Sequence, residues 1–383
     1  PLMKKVGYKP EMAGAIEAVA SNGGQIMPPV MGAVAFLMAE MTGIPYAEIM
    51  IAAFVPALLY YLTLSSCVYL SAKKSRMVGM RKEELPKFGE TLRNGWIYLI
   101  PLILLVIVLV QGYSPQKAAF YAIVVTFVIG FFKDRKKMTP FNILQSFHEA
   151  AEGIIPIAQA CFLAGGIMGI IQLTGLGIKI SGIIEQLAQG NLFLALLFTM
   201  IASLILGMGL PTSAAYLILA VLVAPALVKM GASLMSGHMF ILYFGALSTI
   251  TPPVALSVFA AAGIAGSKVW GTGIQAVKLA SAGFIIPFIF VYSEELLLRG
   301  APGAIALAIL TGLLGCLVLS VSLTGWLKRK LDIVSRILLF AGAILLIIPQ
   351  PVLSLLGFVL SAVILGLYVA GGREGPLTKG DSF

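Results

Sequence analysis

Ser21 to Pro29 reads SNGGQIMPP, and a regular α-helix does not accommodate that run. Pro28 and Pro29 carry no backbone N–H and leave earlier carbonyls without their helical partner. Gly23 and Gly24 admit backbone angles that other residues avoid. Long apolar sequence lies on both sides, so the interruption falls inside what otherwise reads as membrane helix. In hydrocarbon, irregular backbone survives only where it is buried in protein or lines a cavity. The expected structure is a broken helix. Its freed carbonyls, with the side chains of Ser21, Asn22 and Gln25, are candidate ligands for a cation stripped of water. The plainer alternative is a Pro-kinked helix that binds nothing.

Composition fixes the surrounding medium. Of 383 residues, 59% are apolar and 11% charged, and the mean hydropathy is +1.01. An average soluble domain is about 45–50% apolar with roughly a quarter of its residues charged. The fold class is therefore all-α integral membrane, a polytopic helix bundle. Lys and Arg number 26 against 16 Asp and Glu, a net +10, but they cluster in short tracts between apolar runs, as cytoplasmic loops do. No nucleic-acid partner is expected. Cys67, Cys161 and Cys316 are far apart, an odd set without metal-ligand spacing. There is no HExxH, Walker loop or GxSxG, and no Ser or Cys paired with a His at membrane depth. An enzyme, which needs a nucleophile beside a base, and an ATP-driven pump are not expected. No cofactor is implied beyond a coupling ion. The opening PLMKKVGYKP has neither an initiator Met nor a signal-peptide pattern, and is expected to be a piece cut from a longer protein or a mature fragment.

Apolar stretches long enough to span a bilayer are Pro45–Leu70, Trp96–Gly112, Pro115–Phe132, Gly153–Thr174, Gln275–Tyr292, Gly303–Leu323, Ile333–Ile348 and Val352–Ala370. Between them lie three irregular regions, Pro10–Gly43, Asn191–Met230 and Gly237–Gly266. Basic loops set orientation: Lys73 to Arg93 (with Arg81 and Lys82), the KDRKK run at 133–137, and Lys328–Lys330 are all placed inside. That agreement requires Asn191–Met230 to be a hairpin returning to its own side. Met138–Glu152, with Phe141, Leu144, Phe147 and Ala151 at helical spacing, reads as an amphipathic helix lying in the interface.

The sequence repeats itself. PLMKKVG at Pro1 matches PALVKMG at Pro225, and IMPPV ending at Val30 matches ITPPV ending at Val254, both at an offset of 224 residues. Counting crossings gives the copies opposite topology. Inverted repeats with interrupted helices are a transporter pattern in which the interruptions mark the site. The counterpart of the hairpin would lie mostly upstream of Pro1, so this chain is expected to lack most of a first hairpin and to be unable to transport alone.

The second interruption is LSTITPP, Leu247 to Pro253, where Ser248, Thr249 and Thr251 add hydroxyls; these either face a cation or bond back to their own helix. The third, GMGLPTS from Gly207 to Ser213, is the hairpin tip, expected to meet the second break near Thr251. Glu17, two turns before Gly24, is a candidate proton site by its depth, the alternative being an interfacial Glu. His148 and His238 are expected at solvated interfaces, and Lys179, Lys268 and Lys278 are expected to snorkel.

AGAIEAVASNGGQIMPPVMGAVAFLMAE, GLPTSAAYLI and TPPVALSVFAAAGIAG resemble the large membrane (M-type) subunit of tripartite ATP-independent periplasmic (TRAP) transporters, most closely the fused permeases that work with TAXI-type receptors. The resemblance runs from Pro1 to about Tyr292; the helices from Trp326 onward look like that group's C-terminal extension. It implies an elevator mechanism in the inner membrane of a prokaryote: uptake of an organic acid such as a C4-dicarboxylate, by symport with Na+ or in some systems H+. It implies as partners a periplasmic TAXI-type solute receptor and a small membrane (Q-type) subunit or fused N-terminal domain. Carried over onto this chain, the cation sites are Ser21, Asn22, Gly24 and Met27, and Gly207, Gly209, Ser248, Thr251 and Val254. Substrate contacts fall at Asn22, Gln25, Pro28, Pro211, Thr212, Ser213 and Thr249. Family members often carry Gly where Ser248 stands. The expected division is 1–43 (end of the first hairpin and first broken helix, transport domain), 44–152 (scaffold with the interfacial helix), 153–274 (transport domain with the second hairpin and break), 275–325 (scaffold) and 326–383 (extension). The competing reading is a receptor-independent symporter of the sodium/dicarboxylate type.

Overall fold

The computed structural model describes residues 1–77, 87–133, 135–136 and 138–370. Arg81, Lys82, Asp134, Lys137 and the end of the extension, 371–383, lie outside the described residues. Among the described residues the ordered backbone is helical, apart from one antiparallel bridge between Trp326 and Lys330. Among the described residues, five helical spans are long and apolar enough to cross a membrane.

A short α1 (Leu2–Lys5) leads to α2 (Pro10–Gly23), α3 (Gly32–Thr42) and the long α4 (Tyr46–Lys74). Pro10 starts α2, where its missing N–H costs nothing. Residues 24–31 hold the first break. After α5 (Phe88–Gly95), the expected span from Trp96 opens as a 3-10 turn, Trp96–Leu99, and becomes α6 (Ile100–Val110); Pro101 sits in the first turn of α6. α7 covers Pro115–Lys133 and α8 covers Pro140–Thr174. The expected separate interfacial helix is thus continuous with the span that follows: neither Gly153 nor Pro156 ends α8. α9 (Leu176–Ala188), enclosed by left-handed Gly175 and Gln189, had no sequence expectation of its own.

The hairpin consists of α10 (Leu192–Gly207) and α11 (Thr212–Leu222), continued by α12 (Ala224–Lys229). The Asn191 side chain caps α10 by accepting from the N–H groups of Phe193 and Leu194. α13 (Leu234–Leu247), capped by Ser233, runs into a 3-10 turn, Ser248–Ile250, and after the second break resumes as α14 (Leu256–Ala265). Every residue of α13 from Met235 to Leu247 is buried, so this half-helix is the centre of the core. α15 (Val269–Leu279) and α16 (Ser281–Tyr292) form one span stepped at Ala280, followed by α17 (Pro302–Thr324), α18 (Ile333–Ile347) and α19 (Pro351–Ala370).

The internal repeat is written in the backbone. α2 and α13 begin and end 224 residues apart. Met31 and Ala255, at the same offset, are both left-handed and both precede the resuming helix. Both proline pairs, Pro28–Pro29 and Pro252–Pro253, have cis peptides. α2 and α14 run antiparallel: Lys4 Nζ donates to the Ala265 carbonyl at 2.7 Å, Gly14 packs on Ala261, and Asn22 meets Thr249 just before α14.

Candidate functional site

The two breaks satisfy their backbone in different ways. At the second, α13 ends at Leu247 and its last carbonyls lose their helical donors. The segment supplies its own replacements: Ser248 Oγ donates to the Gly245 carbonyl (2.7 Å), Thr249 Oγ1 to that of Ala246 (2.8 Å) and Thr251 Oγ1 to that of Leu247 (2.7 Å). This is the back-bonding alternative. It also has a second consequence, since a hydroxyl whose one proton is given to a carbonyl keeps its lone pairs as acceptors.

The first break has Gly24, Gln25 and Met27 at the positions repeat-equivalent to Ser248, Thr249 and Thr251, so those hydroxyls are missing. The Gly24 N–H turns to Ser21 O (3.1 Å), which takes from Ala20 O the partner a regular helix would give it. Tyrosines of α4 fill the gap. Tyr61 donates to Ala20 O (2.8 Å) and the buried Tyr60 to Val19 O (2.9 Å). Tyr46 lies within reach of Pro29 O (2.8 Å) and Val30 O (2.7 Å). Gly23 has no room for a Cβ, which would stand 2.7 Å from Tyr60 and 2.8 Å from Tyr61. On the α4 side, then, the carbonyls read from the sequence as free are bonded by tyrosine. Tyr60–Tyr61 was the missed signal: paired phenols in an apolar span must find acceptors.

The two breaks meet. Thr249 Oγ1 lies 2.9 Å from Asn22 Oδ1, so its single proton is shared between that oxygen and the Ala246 carbonyl, and Asn22 Oδ1 accepts from Gln25 Nε2 at 3.0 Å. Asn22, Ser248 and Thr249 are buried. The hairpin tip joins the same place. A Cβ on Gly207 would fall 2.3 Å from Ser248 Oγ, so the glycine is what lets the tip close on the break. The tip turns through Gly209 at φ 82°, and the Thr212 methyl reaches toward Gly245, 3.9 Å from where a Cβ there would lie. Ser213 is buried, while Pro211 and Gly209 are exposed.

Other candidates stand apart. The Glu17 side chain is exposed and accepts from Ser21 Oγ at 3.3 Å. Met27, Pro28 and Thr251 are half-buried, and the Val254 side chain is 42% exposed. His148 is exposed beside Glu152, but His238 corrects the sequence reading. It is buried, with Nδ1 2.7 Å from the Tyr216 hydroxyl, because α13 occupies the core rather than an interface. Lys179, Lys268 and Lys278 are exposed. Two apolar cavities, of about 520 Å³ beside Phe193, Phe288 and Ile348 and about 700 Å³ beside Tyr98, Phe127 and Met138, are lined by none of the break residues. The chemistry of the breaks is carried by converging oxygens. Among the described residues no cluster of three His, Cys, Asp or Glu side chains exists. Only neutral oxygen donors converge, a set suited to a hard cation and not to a transition metal.

Residues 1–305 match the family described as "Tripartite ATP-independent periplasmic transporter, DctM component". The chain is 25% identical over 306 residues to the sialic acid TRAP transporter permease protein SiaT of Haemophilus influenzae, covering 74% of this chain and 45% of that protein. It is 25% identical over 277 residues to the isethionate TRAP transporter permease protein DctMQ of Oleidesulfovibrio alaskensis, covering 70% and 42%. It is 25% identical over 274 residues to the C4-dicarboxylate TRAP transporter large permease protein DctM of Pseudomonas aeruginosa, covering 70% and 62%. The chain thus spans less than two thirds of each of these relatives.

Proposed function

The chain belongs to the DctM component family of tripartite ATP-independent periplasmic transporters, and from that membership we propose that it is the permease part of a cation-coupled importer of an organic acid. The convergence of both breaks and the hairpin tip on Asn22, Thr249, Gly207 and Ser248 is the observation that supports this reading most. Oxygens whose protons are already committed, gathered around the buried Asn22, Ser248 and Thr249, would favour a dehydrated sodium ion. Ser21, Asn22, Gly24 and Met27 form one half of the proposed cation set, and Gly207, Gly209, Ser248, Thr251 and Val254 the other. Substrate would lie against Gln25, Pro28, Pro211, Thr212, Ser213 and Thr249. The exposed Glu17 is the place for a proton if the coupling ion is H+.

The body carrying the breaks would move across the inner membrane of a prokaryote as an elevator, fed by a periplasmic receptor of the TAXI type and accompanied by a small membrane subunit or a fused equivalent. The test is uptake by the intact system in liposomes, with its receptor, of labelled sialic acid, isethionate and succinate under imposed sodium or proton gradients. Receptor-dependent uptake of one acid, driven by one gradient, is expected. Uptake indifferent to both gradients would overturn the coupling, and uptake without receptor would favour a receptor-independent symporter.

A further inference from the structure

α4 binds two different parts of the molecule along its length. One face holds the first break, through the Tyr46, Tyr60 and Tyr61 hydroxyls and, near its end, through the Tyr8 hydroxyl, which donates to Val68 O at 3.2 Å. The other face holds α17. Glu48 pairs with Arg299, in the segment leading into α17, at 3.3 Å. Leu59 fills the space beside Gly312, where a Cβ would stand 3.0 Å from it. Ser320 Oγ shares its proton between Cys316 O of its own helix (2.7 Å) and Thr63 O of α4 (3.2 Å), and Lys74 Nζ donates to Thr324 O at 3.2 Å. α17 then carries α18 and α19 at near-backbone distance. A Cβ on Gly315 would lie 2.9 Å from Ala343 O, and one on Gly357 would lie 2.7 Å from Gly342 O. Arg336 of α18 donates to the carbonyls of Ser322 and Leu323 at the end of α17.

Packed interfaces of this kind hold or jump; they do not deform continuously. A slide of α4 past α17 by even one helical turn, about 5.4 Å, would break the four contacts between them. We propose that the C-terminal helices α17–α19 and the first break are one rigid body with α4 as its link, so that the C-terminal helices travel with the cation site instead of standing in the membrane-fixed scaffold. This rests on the sliding mechanism proposed above and departs from the sequence expectation that 44–152 and 275–325 are scaffold.

The test joins paired cysteines with a short bifunctional thiol reagent in the intact system, after replacing Cys67, Cys161 and Cys316. The pairs are Tyr8→Cys with Val68→Cys, Lys74→Cys with Thr324→Cys, and, at the exposed opposite end, Glu48→Cys with Arg299→Cys. Uptake of the transported acid is expected to stay within about two-fold of the unlinked sample in all three, as for links inside a rigid body. A loss of about ten-fold or more, restored by cleaving the reagent, in any of the three would overturn the proposal. A measurement that needs no substrate is the distance between spin labels on the Glu48→Cys and Arg299→Cys pair. One population with and without sodium is expected, and two would overturn it. Failure of the coupling reading looks different, since uptake indifferent to sodium and proton gradients leaves the ratio of linked to unlinked uptake unchanged.

Discussion

The Thr249 hydroxyl stands 2.9 Å from the side-chain oxygen of Asn22, a residue 227 positions earlier in the chain. That bond joins the two breaks directly, without a third element between them. Thr249→Val removes the hydroxyl at constant shape, and Asn22→Ala removes the acceptor. A double-mutant cycle on thermal unfolding should return a coupling of about 0.5–1.5 kcal/mol. A coupling indistinguishable from zero would mean the breaks are held together by packing alone.

Gly207 closes the hairpin tip on Ser248. Gly207→Ala forces a methyl to 2.3 Å from Ser248 Oγ, an overpacking that costs about 1–3 kcal/mol at the proposed site. Uptake should fall by at least about ten-fold. Adding Ser248→Gly, which empties the space, should restore most of it; no rescue would place the damage elsewhere.

Thr251 gives its proton to Leu247 O at 2.7 Å and keeps its lone pairs. With Thr251→Val the sodium concentration for half-maximal uptake should rise about five-fold or more, equivalent to roughly 1 kcal/mol of lost cation binding. An unchanged sodium dependence removes Thr251 from the ligand set.

Tyr61→Phe leaves Ala20 O without its donor and should destabilise by about 1–3 kcal/mol, the range for a group stranded away from water. Tyr60→Phe removes a second bond on Val19 O, which keeps its place in the α2 ladder, and should cost about 0.5–1.5 kcal/mol. Thermal unfolding in lipid nanodiscs reads this. A change under a few tenths of a kcal/mol would show that water replaces the phenol.

Arg336 caps α17 with two charge-assisted bonds, 3.0 Å to Ser322 O and 3.1 Å to Leu323 O. Arg336→Met should cost about 1.5–3 kcal/mol. Arg336→Lys should recover less than half, because an ammonium lacks the planar fork that serves two carbonyls at once. Equal behaviour of the two variants would argue for packing of the stem instead.

The breaks were legible because Pro28–Pro29 and Pro252–Pro253 are local statements: two successive residues without an N–H interrupt a helix, whereas the single Pro56 and Pro287 are carried inside α4 and α16. The repeat was legible for the same reason, and the offset of its short motifs is that of the helix ends. The join of α8 was not, since an amphipathic segment and an apolar one share a helical period and nothing at Gly153 separates them. The burial of His238 was not legible either. Its neighbours Met239 and Phe240 read as membrane helix of any depth, and only the packing of α13 against α11 and α16 puts it in the core. At the candidate site, Asn22 and Thr249 were each visible as polar residues at a break, but their bond is a fact of tertiary structure alone.

The different sources of hydroxyl groups at the two breaks bear on how each could be transplanted. Residues 234–266 bring with them the side chains that cap the Gly245, Ala246 and Leu247 carbonyls, so that break needs no donor from a neighbouring helix there. Residues 10–43 depend on phenols supplied by the next helix. A chimera that takes the first segment must therefore take α4 along as well, and reciprocal exchange between the halves of this protein can work in one direction only.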